Sequence, residues 1–239
     1  MPFFKAPKDY PEMLNKIACY NFLGSLIATI LAVNFSEDIK KFFTLISFGL
    51  EFEKDGIKFA VSYLYPAVLI AIISRASKLH DRISDIFKIR KRFDLKFILI
   101  EISKELGYFE GEKTIKKLAE KREELMYSVF YKYASSTSPK IDTHLIIMAL
   151  DNWCWYWITI ELRFICILLC IMLFIFNKSN YAFFIIIAIL VMTLMALPVK
   201  HGCVVNAKKE ITSILEDRSR KEEIRRIYKN ALRNKRGSN

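Results

Sequence analysis

Two charged side chains, Glu161 and Arg163, stand inside an apolar run that extends from Cys154 to Phe176. A charge in such a run is costly in lipid, so it turns toward other helices, a partner or a water-filled path. Two positions on a helix are about 200° apart, so the pair cannot meet as neighbours. Arg163 shares its helical face with Thr159, Cys166 and Cys170, whereas Glu161 lies on the side of Trp157. The chemistry open to them is an ion pathway or gate, or a buried bond to another helix or subunit. Glu161 falls about 12 Å along the helix from Trp153, within partial reach of the interface, and this favours the buried bond. The third polar group in an apolar run is Asn21. With Ser25, Ala28 and Ala32 it forms a stripe of small and polar residues, expected as a packing face rather than a pore lining.

A second set is basic. Arg75, His80, Arg82, Lys88, Arg90, Lys91 and Arg92 follow an apolar stretch closely, interleaved with Asp81, Asp85 and Asp94. Bases beside a span meet anionic headgroups, and alternation of sign suits a helix paired with protein as well. These residues are therefore candidates for headgroup or partner contact, with a solvated, salt-bridged helix as the plain alternative. Nucleic acid is left without support, because no aromatic stacking platform accompanies the bases. Arg75 followed five residues later by His80 resembles the arginine and histidine pair of the HEPN ribonuclease families, in which both side chains work on the RNA phosphate. The likeness covers six residues, and Ala76 stands where those families usually carry a polar residue.

Other catalytic patterns are missing. The seven glycines form no phosphate loop, dinucleotide fingerprint or nucleophile elbow. His80, His144 and His201 lack metal-ligand spacing, and the five cysteines contain no CxxC pair. The expectation is a protein that is not an enzyme and takes no cofactor or metal.

These groups need helices to position them, and the sequence predicts an all-α integral membrane protein with four transmembrane helices in two hairpins. Hydrophobic residues are 53% and charged residues 26% of the 239, so the two kinds must be segregated along the chain. A run of about 20 apolar residues spans a core of roughly 30 Å. Residues 1–16 read as an N-terminal arm, and 17–74 as a first hairpin with spans near 17–35 and 59–74. Pro66 should kink the second of these. Between them, the short apolar segment Phe42 to Leu50 suits a helix in the interface. Residues 75–152 read as a cytoplasmic insert. Leu79, Ile83, Ile86, Phe93, Phe97 and Ile100 keep three-four spacing with Arg90 as the interruption, which predicts a basic amphipathic helix continuing from the second span. Gly107 and Gly111 should end it, and a second helix is expected over about 112–133. Residues 153–199 form the second hairpin, with spans near 154–176 and 181–199 and only four polar residues between them. Trp153, Trp155 and Trp157 mark its interface, and 200–239 is a basic tail.

Loop charge gives the orientation. Residues 75–152 carry sixteen Lys and Arg and the tail twelve, against four in 36–58. The positive-inside rule then puts both termini and the insert in the cytoplasm of an inner or plasma membrane. The net charge of +12 asks for an anionic partner, supplied by lipid headgroups. In architecture, two hairpins with helical cytoplasmic parts and no enzyme motif, the chain resembles the membrane effectors of bacterial phage-defence systems. That resemblance implies a homo-oligomer that perturbs or permeabilises the membrane when a cytoplasmic sensor releases it. The alternative expectation is a membrane scaffold that recruits a cytoplasmic protein, and a third is a membrane-tethered HEPN-like ribonuclease.

Overall fold

The computed structural model describes residues 5–46, 51–54 and 57–233. The chain is helical throughout these residues except for one short antiparallel ribbon, Glu51–Lys54 (β1) paired with Ile57–Ala60 (β2), which the sequence did not announce. It divides into two compact units. The first comprises the described residues of Pro11–His80 and Trp153–Lys200, together with Lys5; the second comprises Ala6–Tyr10, Asp81–Asn152 and the described residues from His201 onward.

Among the described residues three helices are long and apolar enough to cross a membrane, α1 (Tyr10–Phe35), α9 (Thr143–Ile175) and α10 (Ser179–Glu216), and unit 1 holds most of α1, α9 from Trp153 and α10 up to Lys200. The expected pair of two-span hairpins is corrected to these three. The segment expected as the second span is α3 (Val61–Ser77), of 17 residues, and the ribbon, which ends at Ala60, takes the first two residues of the expected 59–74. At 1.5 Å per residue it reaches about 25 Å, short of the roughly 30 Å of hydrocarbon. Between α1 and the ribbon lies α2 (Glu37–Ile46), an amphipathic helix whose Ile39 is fully buried while Leu45 is exposed. The remainder of the predicted interfacial segment, residues 47–50, lies outside the described residues.

A short turn joins α9 to α10, where the sequence placed the four polar residues between two spans. Asn177 adopts a left-handed conformation (φ 56°) and Lys178 N–H donates to the Leu173 carbonyl at 2.8 Å, closing α9 in the manner of an Asn cap. Only 17% of the most apolar window of α10 is buried, so most of this helix presents its Phe, Ile and Leu side chains outward. Phe183, Leu190, Leu194 and Leu197 are among these exposed residues. Apolar exposure on this scale is suited to lipid rather than water. The helix does not stop at Pro198, where the sequence placed the end of the span, but runs on to Glu216. Proline is tolerated in such helices because the freed carbonyl finds other partners.

Unit 2 is built from short helices around its own apolar core. The predicted continuous amphipathic helix is broken at Lys78 (φ 47°) and Lys88 (φ 53°), giving α4 (Leu79–Phe87) and α5 (Ile89–Phe93). The break at Lys88 resets the helical phase: Phe93 is buried, whereas Ile86, on the predicted apolar face, is 73% exposed. From α5 the helix passes through a π-helical turn, Asp94–Leu99, into α6 (Ile100–Glu105). Gly107 (φ 77°) ends it, as expected, in a conformation that glycine adopts without strain. Beyond Gly111, α7 (Glu112–Glu120), α8 (Arg122–Leu125) and a second π-helical turn, Met126–Tyr131, replace the single helix predicted there. The tail folds as α11 (Arg218–Leu232), with the Asp217 side chain accepting from Arg220 N–H at its start. It packs into unit 2 through Tyr228, fully buried, whose hydroxyl donates to the Leu99 carbonyl at 2.9 Å.

Candidate functional site

The strongest concentration of polar groups lies inside the apolar unit. On α1, Asn21, Ser25 and Thr29 recur every four residues on one face and are each buried, at 1%, 1% and 5% exposure. That face meets α9 at Gly24, where an added Cβ would lie 2.3 Å from Leu162 Cδ2. The missing side chain thus lets α1 approach the stretch of α9 that carries Glu161, in the way small residues bring membrane helices together.

Glu161 is 1% exposed. Asn21 Nδ2 donates to its Oε2, and Ser74 Oγ, near the end of α3, donates to the same oxygen at 2.7 Å. Asn21 Nδ2 also donates to Ser74 Oγ at 2.8 Å, so three helices close a triangle of hydrogen bonds. On the other carboxylate oxygen, Oε1 lies 4.0 Å from Nδ1 of His80, itself 2% exposed and 5.7 Å, ring to ring, from Trp157. All four side chains belong to unit 1.

The same end of the unit carries its basic and aromatic groups. Lys16 Nζ lies 4.7 Å above the Trp155 ring, Tyr20 packs edge-on to Trp155, and Arg75 Nε donates to Asn15 Oδ1 at 2.8 Å. At the opposite end Phe35 stacks on Tyr181 at 4.2 Å. Glu161 is six residues past Trp155 along α9, about 9 Å deeper than the aromatic layer.

The sequence candidates thus separate. Glu161 and Asn21 come together, and the structure adds Ser74, which no sequence pattern singles out, and His80, read from the sequence as a headgroup or partner contact. Arg163 stays apart: its Nε donates to the Thr159 carbonyl at 3.2 Å and its Nη1 reaches Thr193 Oγ1 at 3.5 Å. Arg75 is engaged with Asn15 and His80 is buried, so the pair that resembles the HEPN signature presents no open histidine to RNA.

The remaining basic candidates lie in unit 2. Arg82, Lys88, Lys91 and Arg92 are exposed. Ile86 and Phe87, 73% and 54% exposed, sit beside them at the α4–α5 corner. Arg90 is held by Tyr131, whose hydroxyl oxygen accepts at 3.0 Å, and lies 4.0 Å from Asp81. Asp94, 3% exposed, is bonded by Arg122 Nη1 at 2.6 Å. Among the described residues, no group of three or more His, Cys, Asp or Glu is placed to hold a metal ion. The five cysteines are free thiols.

A family model described as the YmfE protein family matches residues 9–230, and the chain belongs to that family. No curated protein and no solved structure matches it.

Proposed function

We propose that this YmfE-family protein is a non-enzymatic membrane effector whose spans are held closed by the Glu161 cluster and loosened through the helices that follow His80. The observation behind this reading is the placement of Asn21, Ser74, His80 and Glu161, four polar side chains from separate stretches of the chain, at one buried point among apolar helices. A carboxylate removed from water is tolerated only while its hydrogen bonds are kept. Separating α1 from α9 therefore strands Glu161 and uncovers Asn21, Ser25 and Thr29 together, which draws in water along one face of α1. His80, at the start of α4, closes one side of the cluster, its Nδ1 lying 4.0 Å from Glu161 Oε1.

Positive-inside reasoning puts the end of unit 1 that carries Lys16 and Arg75 in the cytoplasm, with the exposed bases Arg82, Lys88, Lys91 and Arg92 toward anionic headgroups or a sensor protein. Three long helices are too few to enclose an aqueous pore, so a permeable state requires several copies of the chain.

Induced expression with a membrane-potential dye tests this. Depolarisation is expected with the native chain, and earlier or at lower expression with Asn21→Leu, which removes the shared donor. An unchanged potential under every inducing condition would sink the effector reading.

The second reading, a scaffold that recruits a cytoplasmic protein, is favoured by the folding of unit 2 around its own core with α11 docked into it. Recruitment that survives with the membrane potential intact, and that is lost when the chain is cut after Lys208, would select it.

A further inference from the structure

We infer that the Glu161 cluster binds one dehydrated monovalent cation of about the size of sodium. This rests on the reading of that cluster as the working element of unit 1. Three oxygen atoms carry the inference: Glu161 Oε1, Asn21 Oδ1 and Ser25 Oγ. Each is buried, each belongs to a residue 1% exposed, and none takes part in a hydrogen bond among the described residues. Asn21 and Ser25 are one turn apart on the same face of α1, and the Asn21–Glu161 bond joins that face to α9. Carboxylate, amide and hydroxyl oxygens are hard donors, the set that alkali and alkaline-earth cations select over nitrogen or sulfur.

The charge count chooses the valence. Glu161 contributes one negative charge and the other two donors none, so with His80, 4.0 Å from Oε1, in its neutral form a single positive charge leaves the site neutral in the low-dielectric interior. A divalent ion would leave it positive, and no cluster of acidic side chains among the described residues compensates. A proton on Oε1 would satisfy that oxygen and leave Asn21 Oδ1 without a donor. A small cation can meet several oxygens at once. The close approach of α1 to α9 at Gly24 keeps the space small, which favours sodium over potassium.

The test uses the full chain purified in detergent. Sodium chloride is titrated against choline chloride at constant ionic strength, with melting temperature and intrinsic tryptophan emission as readouts; Trp157 lies against His80 at the site. A saturable response to sodium, absent in choline and weaker in potassium, is expected. Glu161→Gln retains an acceptor for Asn21 and Ser74 but removes the charge, and should abolish the response. Ser25→Ala leaves the Asn21–Ser74–Glu161 bonds in place and should weaken apparent sodium affinity by about tenfold, the equivalent of one polar contact. Identical titrations in sodium and choline, or a sodium response that persists in both variants, would overturn the inference. If Glu161→Gln does not fold, Ser25→Ala and equilibrium binding of radioactive sodium to the native chain, expected at one ion per chain, decide the matter. Depolarisation without sodium binding removes the ion and keeps the effector reading. Sodium binding without depolarisation supports the ion and removes the effector.

Discussion

Glu161 and Asp94 are both carboxylates withdrawn from solvent, 1% and 3% exposed, yet their partners differ in kind. In unit 2, Asp94 is met by a guanidinium, Arg122, whose other nitrogen donates to Glu123 at 2.8 Å. In unit 1, Glu161 Oε2 is met by an amide and a hydroxyl, both neutral, while His80 Nδ1 stands 4.0 Å from the other oxygen. Where water is the surrounding solvent, an arginine can be half-buried and still keep part of its hydration, so a charge pair is affordable. Among apolar spans a second fixed charge would need its own desolvation, and short neutral donors on neighbouring helices are the cheaper partners. One unit is therefore fixed by charge pairing and the other by hydrogen bonds that can open without leaving two opposite charges behind.

That contrast breaks most readily at Arg122. Arg122→Ala removes the guanidinium bonded to Asp94, leaving the attraction of Arg90, and should cost about 4 kcal/mol, within the range for halving a buried pair. Thermal unfolding followed by circular dichroism should show the loss in unit 2, and a change below about 1 kcal/mol, the worth of a surface pair, would contradict it.

The next effect separates two carboxyls within unit 2. Glu210, on the part of α10 beyond the apolar stretch, is 5% exposed, and burial pushes its carboxyl up to about 8. Glu223 is held below the usual carboxylate range by hydrogen bonds from Lys132 and Tyr133. A raised carboxyl keeps its proton in the folded protein while the unfolded chain has already lost it. Its contribution is therefore complete at pH below the ordinary glutamate range and is lost as pH rises toward about 8. Glu223 has the opposite sign, its contribution being present above the ordinary range and lost in acid. Unit 2 should thus lose roughly 3 kcal/mol between mildly acidic and mildly alkaline pH, at about 1.4 kcal/mol per unit of displacement with allowance for relaxation. Glu210→Gln should flatten the melting temperature across that window, and an unaltered slope would show that Glu210 is not its source.

The smallest change expected is Asn21→Ala. Single hydrogen bonds between membrane helices average about 0.6 kcal/mol, so the variant should fold and melt only slightly lower in detergent. A loss as large as that of Arg122→Ala would mean that Glu161 is fixed as rigidly as Asp94, and the contrast between the units would fail.

Part of the site could be read from residue types. Glu161 was marked by its position in an apolar run, and its Oε2 accepts from Asn21 and Ser74; Asn21 was marked by the stripe it shares with Ser25. Ser74 gave no sign, because a serine among alanines near a helix end fits a packing face as well as a hydrogen-bonding one. His80 was read as a surface base because its neighbours are charged. The helix breaks at Lys78 and Lys88 were hidden for a related reason: lysine in a left-handed conformation carries none of the signal that glycine gives at Gly107. Ile86 was consequently assigned to the buried face of a helix that is not continuous.

Apolar run length is a property of the chain itself, and it determined that the molecule carries long apolar helices that could span a membrane. Which carboxylate meets which donor depends on contacts between residues 53, 87 and 140 positions apart, and no local pattern encodes them. Tertiary packing decided those, as it decided that α3 stops short of a full span, because a polar group buried among apolar helices must find whichever partner the fold brings within bonding distance.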